Sequence, residues 1–128
     1  MVGFSHVGLV VSDLERSLRF YQETLGLNCL ERHPDQGNGL EIAFVGLDAP
    51  VLELLYYTDP AARERVARGR YDHFAWYVAD LRQTMEELRA KGVSFESDQI
   101  RQVLDGRQIA FFTGPDGERI ELVQPAGR

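Results

Sequence analysis

Cysteine occurs once in the 128 residues, at Cys29, so no disulfide can form within the chain. That usage suits a reducing compartment, and Cys29 reads as a small core residue. Basic residues are the minority, 14 Lys and Arg against 20 Asp and Glu, which leaves a net charge of −6 and a pI near 5.0. A surface of that sign repels phosphate backbones and argues against nucleic acid as a partner. No apolar run approaches the length of a membrane span, so no membrane partner is expected. The opening MVGFSHVGL has no basic segment ahead of a hydrophobic one. No signal peptide is expected from it, and the cytoplasm is the expected compartment. Core material is plentiful. Hydrophobic residues make up 44% of the chain, and seven Phe, five Tyr and one Trp supply volume. Charged residues, at 27%, are as frequent as in ordinary folded proteins, which argues against disorder. Residues 1–128 are therefore expected to form one domain.

Phe4 to Leu14, FSHVGLVVSDL, reappears as Tyr71 to Leu81, YDHFAWYVADL. Setting His6 on His73 gives an offset of 67 residues. At that offset Val11, Asp13 and Leu14 fall on Val78, Asp80 and Leu81, and Ile42-Ala43-Phe44 falls on Ile109-Ala110-Phe111. One residue further out, Leu52-Glu53-Leu54 matches Ile120-Glu121-Leu122. The chain is two copies of one unit, about 1–58 and 70–128, each with a His on its first strand and a Glu on its last.

The elements can be read from pattern. Phe4 to Val11 is apolar and Val-rich, as in a buried strand. Ser12-Asp13-Leu14-Glu15 reads as a capping box, and Leu14, Leu18, Tyr21 and Leu25 then give a helix its buried face, ended by Gly26. Leu27 to Glu31 reads as a strand and Arg32 to Gly39 as a polar loop, with His33 exposed in it. Leu40 to Val45 and Val51 to Tyr57 are two further strands. Pro60 to Arg68 reads as a linker helix started by Asp59. The second copy repeats the order: a strand from Tyr71 to Val78, a helix capped by Asp80 with Gln83 and ended by Gly92, and a strand from Val93 to Glu96. Ser97 to Gly106 is a strand fragment plus loop. Arg107 to Thr113 and Glu118 to Gln124 form a hairpin around Gly114-Pro115-Asp116-Gly117. The expectation is an α+β fold of two paired βαβββ modules, whose curved mixed sheets line a trough with the helices outside.

A lone His in a strand is usually a hydrogen-bonded structural residue, and a lone Glu usually faces solvent. Glu53 resists that reading, because Val51, Leu52, Leu54 and Leu55 surround it, and a bare buried carboxylate costs several kcal/mol. Glu121 lies between Ile120 and Leu122, with Arg119 and Val123 on its own face. The repeat places two His and two Glu at equivalent positions, so approximate two-fold symmetry can gather all four across the trough. Two imidazoles and two carboxylates suit a borderline divalent ion such as Ni, Zn, Co, Fe or Mn. Tyr57 and Trp76 read as core, and Arg70, Arg101 and Arg107 as solvated surface charge.

The stretches SHVGLVVSDLERSLRFYQETLGL, VLELLYY, DHFAWYVADL and above all IAFFTGPDGERIELVQP resemble the vicinal oxygen chelate superfamily. That superfamily includes glyoxalase I, methylmalonyl-CoA epimerase, extradiol dioxygenases, and the fosfomycin and bleomycin resistance proteins. The resemblance covers nearly the whole chain. It implies paired βαβββ modules and a divalent metal held by His6, Glu53, His73 and Glu121, within one chain or across a homodimer. Glu53 favours the glyoxalase I and epimerase branches, since the dioxygenases and fosfomycin enzymes lack a carboxylate there. Glyoxalase I carries Arg and Asn, both contacting glutathione, where this chain has Val10 and Tyr57, so those contacts do not carry over. GPDGERIEL looks like the glyoxalase ending, whereas GRQIAF is close to the epimerases.

What the resemblance implies is a glyoxalase I-like lyase or isomerase. It would act on a small-molecule α-oxoaldehyde–thiol adduct through a metal-bound enediolate. By family position Glu121 is the base and Glu53 its mirror partner. The alternatives are a methylmalonyl-CoA-type epimerase, and a metal-free antibiotic-binding protein like those of bleomycin resistance. The intact four-residue set speaks against the last.

Overall fold

The computed structural model describes residues 1–66, 69–113 and 119–127. Among them are eight strands: β1 (Gly3–Val10), β2 (Asn28–His33), β3 (Leu40–Gly46), β4 (Pro50–Tyr57), β5 (Tyr71–Tyr77), β6 (Arg101–Val103), β7 (Arg107–Thr113) and β8 (Arg119–Gln124). The helices are α1 (Leu14–Arg19), α2 (Pro60–Arg65) and α3 (Leu81–Ala90). The order βαβββ therefore occurs twice, and the class is α+β as expected. No helix of the described residues is long and apolar enough to cross a membrane. The chain divides into two compact units: His6–Asp72, and His73–Arg128 together with Met1–Ser5.

Within His6–Asp72 the strand order is β2-β3-β4-β1. β1 runs parallel to β4, and the other pairings are antiparallel. The connection through α1 and two further strands is what allows the parallel pair. Side-chain alternation then separates two faces. Ala43, Val45 and Leu54 pack on Leu14 and Leu18 of α1 to form the core. Ile42, Phe44, Glu53 and Leu55 belong to the other face, where β3 and β4 align Phe44 with Glu53 and Ile42 with Leu55. Burying a side chain such as Leu54 contributes about 1.5–3 kcal/mol.

The start of α1 differs from the expected capping box. Asp13 is the cap, its carboxylate accepting from the Arg16 amide at 3.1 Å. Ser12 Oγ accepts from Arg16 Nη2 at 2.8 Å instead. Glu15 is drawn away to the Arg32 guanidinium on β2, which holds its carboxyl below the usual range. The far end also departs. After Arg19 the helix widens into a π turn, Phe20–Thr24, where the Leu25 N–H donates to the Phe20 carbonyl at 3.2 Å. A π turn closes over five residues rather than four and so shifts the helical phase of later residues. Leu25 leaves the stripe of Leu14 and Leu18 and is 53% exposed, against the expectation that it is buried. Gly26, at φ +72°, ends the helix.

β2 runs on to His33 through a bulge between Cys29 and Glu31, so the polar loop starts only at Pro34. Asp35 organises that loop. Its carboxylate accepts from the Thr58 hydroxyl at 2.7 Å and from the amides of Gly37 and Gly39, and these bonds hold its carboxyl below the usual range. Asp59 caps α2 with Pro60 in the first turn. The helix stops at Arg65, because Val66 is already extended. The rest of the expected span, residues 67 and 68, lies outside the described residues.

In the other unit the order is β5-β8-β7-β6, with β5 parallel to β8. Asp80 caps α3 by accepting from the Gln83 amide at 3.1 Å, while the Gln83 side chain turns to Glu87 and leaves the box half made. Leu81 and Met85 pack under Val78, Ala110 and Leu122. The strand expected over 93–96 is reduced to one bridge, Phe95 with Phe112. β6 takes its place, drawn from the stretch read as a fragment. Leu104, Asp105 and Gly106 have φ of 31°, 51° and 94°, three left-handed residues that turn β6 into β7. The expected turn Gly114-Pro115-Asp116-Gly117 lies outside the described residues. At the N-terminus the Val2 N–H donates to the Tyr77 carbonyl at 2.9 Å, and Phe4 meets Trp76 edge-on.

Candidate functional site

The parallel register of β1 and β4 sets Gly8 opposite Glu53. His6 lies two residues earlier on the same face, a diagonal neighbour with no side chain at Gly8 to block it. Its Nε2 is 3.4 Å from Glu53 Oε1. On the other side of Glu53 is Phe44 of β3, whose ring meets the His6 imidazole edge-on, 5.4 Å between centroids and 87° between planes. His6 is 5% exposed and Glu53 6%.

The same construction recurs in the unit of His73–Arg128. Ala75 is opposite Glu121, and Phe111 is its neighbour on β7. His73 Nε2 is 3.2 Å from Glu121 Oε1, and the His73 ring meets Phe111 at 5.6 Å and 89°. Exposure is 8% for His73 and 6% for Glu121. At the offset of 67, Gly8 maps to Ala75 and Phe44 to Phe111. Each half thus builds its pair by one rule: a carboxylate flanked by a phenyl ring on one side and a small residue on the other, with the imidazole two residues before the small one within 3.4 Å of the carboxylate.

Two donors about 2.1 Å from one ion, at right angles around it, stand about 3 Å apart. The His–Glu separations suit that geometry, and imidazole with carboxylate is a donor set for borderline divalent ions. A hydrogen-bonded pair gives a similar distance. The same pair in the same register in both halves, with no apolar substitute in either, favours a ligand role. The carboxylates are placed by strand pairing rather than by loops, so their positions are fixed by the ladder.

The remaining sequence candidates fall away from these pairs. Trp76 packs on the helix side with Val78 and Leu81. Tyr57 lines an open cleft with Val10, Ser12 and Arg63. Arg70 pairs with Asp72 at 2.8 Å, Arg107 approaches Asp105 at 3.5 Å, and Arg101 is exposed. His33 corrects its expectation. It is not an exposed loop residue but the end of β2, with Nε2 3.0 Å from Glu31 Oε1 and its ring against Phe44. Sequence reasoning also passed over Phe44, Phe111, Gly8 and Ala75. The offset that aligned the histidines would have found all four.

A helix-backed half-sheet whose opposite face carries a buried His–Glu pair, built twice in one chain, defines a repeated-module α+β protein. The chain belongs to the Glyoxalase/Bleomycin resistance protein/Dioxygenase superfamily, whose family model matches residues 3–122. It is 35% identical over 124 residues to a lactoylglutathione lyase of Neisseria meningitidis, covering 93% of this chain and 88% of that protein. A probable lactoylglutathione lyase of Synechocystis is 30% identical over 128 residues, covering 96% of this chain and 95% of the relative. Among solved structures, methylmalonyl-CoA epimerase from Mycobacterium tuberculosis superposes with a TM-score of 0.83 at 27% identity, covering 98% of this chain and 89% of that one.

Proposed function

We propose that the chain is a metal-dependent lyase or isomerase of the glyoxalase I type, acting in the cytoplasm on the adduct of an α-oxoaldehyde with a thiol. The observation that carries this is the pair of buried His–Glu contacts, set by the same register in each half. The reading takes residues 1–128 as one domain of two modules, about 1–58 and 70–128. His6, Glu53, His73 and Glu121 together hold one divalent ion (Ni, Zn, Co, Fe or Mn), within a chain or across a homodimer. That ion, when bound, polarises the substrate's adjacent oxygens and offsets negative charge as it develops.

The protein's own part is to move a proton. Glu121 takes it from the carbon that bears sulfur and hydroxyl and returns it to the neighbouring carbonyl carbon, while the hydroxyl proton passes from the first carbon's oxygen to the second's. The adduct R–CO–CH(OH)–SR′ becomes R–CH(OH)–CO–SR′, an isomerisation with no external oxidant or reductant. Glu53 is the mirror-related partner. His6 and His73 hold the site in register, and Phe44 and Phe111 wall it with apolar rings, which strengthens every charge interaction inside. Relatives named lactoylglutathione lyase support this reading. The likeness to methylmalonyl-CoA epimerase favours a second reading, in which the same carboxylates move a proton next to a thioester carbonyl.

The test is metal content by elemental analysis on protein purified without a His tag, followed by turnover of methylglyoxal with several thiols and, separately, of methylmalonyl-CoA. Near-stoichiometric metal and thioester formation from methylglyoxal are expected. Glu121→Gln is expected to abolish turnover and keep the fold. Turnover of methylmalonyl-CoA alone would move the assignment to the epimerase. Protein that takes up none of these ions would sink both readings.

A further inference from the structure

His33 and Glu31 break the symmetry of the two halves. The β2–β3 register sets Glu31 opposite Phe44 and His33 opposite Ile42. The β3–β4 register sets Phe44 opposite Glu53, and β4 with β1 sets Glu53 opposite Gly8. Glu31, Phe44, Glu53 and Gly8 therefore form one row across four strands, on the face away from α1. Two imidazoles lean on the same phenyl ring: His6 at 5.4 Å and 87°, His33 at 6.1 Å and 90°. At the offset of 67, the second half has Asp98 and Ile100 in place of Glu31 and His33. The first half alone carries this additional His–Glu pair.

The pair has a defined polarity. Glu31 Oε1 lies 3.0 Å from His33 Nε2, so the carboxylate accepts the Nε2–H. A carboxylate on one ring nitrogen fixes the tautomer and leaves the other nitrogen as an acceptor. Among the described residues Nδ1 takes no hydrogen bond, and the side chain keeps 16% of its exposure.

We infer that His33 is a substrate-positioning residue, whose Nδ1 accepts a hydrogen bond from an N–H or O–H donor in the thiol portion of the substrate. It stands one phenyl ring away from His6. It gives a pseudo-symmetric site a direction, because only one end of the substrate finds an acceptor. The substrate class narrows to adducts of thiols whose tail carries such a donor, an amide N–H being the usual one. This rests on the proposed lyase reading.

Two thiols of one shape separate the cases: N-acetylcysteamine, with an amide N–H, and 2-mercaptoethyl acetate, with an ester oxygen in its place. With their methylglyoxal adducts the wild type is expected to favour the amide by about fivefold to tenfold in kcat/KM, carried by KM. His33→Phe, which keeps a ring against Phe44, is expected to bring the ratio to about one with metal content at the wild-type level. His33→Asn, which restores an acceptor near the Nδ1 position, should recover part of the preference. Equal use of the two adducts by the wild type, or a preference that survives in His33→Phe, would overturn the inference. If neither adduct turns over, the lyase reading fails. Titration calorimetry with the inert S-(2-oxopropyl) thioethers of the two thiols then still decides the role of His33, by the same ratio in affinity.

Discussion

A carboxylate accepts burial when a donor or a cation offsets the hydration it loses. Glu53 and Glu121 are each met by an imidazole within 3.4 Å and 3.2 Å. Their neighbours along the chain are apolar, which is why both stand out in the amino-acid sequence. Phe44 and Phe111 do not, since a phenyl in an apolar strand is ordinary core material. His33 is hidden for a different reason. The Pro and Gly that come after it mark a loop, and only pairing with Ile42 reveals that β2 continues to it. At this scale the sharpest expectation concerns His73. If it is a metal ligand, His73→Ala should weaken binding by more than the 10- to 100-fold that loss of an outer-shell partner causes. Competition against a chromophoric chelator measures this, and unchanged affinity would remove His73 from the ligand set.

The elements are legible where local chemistry decides them and obscure where tertiary partners do. Asp59 with Pro60, Asp80 with Gln83, and the alternation in the β3–β4 hairpin all act within a few residues. The Ser12–Glu15 box fails because Arg16 and Arg32, one of them on another strand, compete for the same side chains. The strand over 93–96 fails because only Phe95 finds a partner, on β7. The π turn leaves no mark in the pattern, because Leu25 continues an unbroken helical stripe. Its consequence is measurable. Leu18 is 4% exposed and Leu25 53%. Leu18→Ala should cost about 2–5 kcal/mol in urea unfolding. Leu25→Lys should stay within about 0.5 kcal/mol, as surface changes do. Equal costs would mean that α1 runs on without the π turn and buries Leu25.

At the scale of the whole molecule, duplication is the feature on which the rest depends. Each half carries a helix-backed sheet and one His–Glu pair, and on the proposed reading the two pairs would supply the four protein donors of one divalent ion. The repeat makes this duplication visible, because the histidines and the core positions recur at an offset of 67 and the glutamates at 68. The offset also shows where the copies have drifted, with Asp98 and Ile100 in place of Glu31 and His33, but only the strand pairing shows that Glu31 and His33 stand on β2 while the second half has the short β6. If one ion serves both pairs, it couples the two units energetically. Trp76 is the only tryptophan and reports on the unit of His73–Arg128. An ion at 100 times its Kd stabilises the fold by about 2.7 kcal/mol, so the unfolding midpoint read by Trp76 fluorescence should rise on loading. His6→Ala changes a ligand in the other unit and should remove most of that rise, with one ion bound per wild-type chain. Two ions per chain, or a Trp76 shift undiminished in His6→Ala, would mean that each pair works alone.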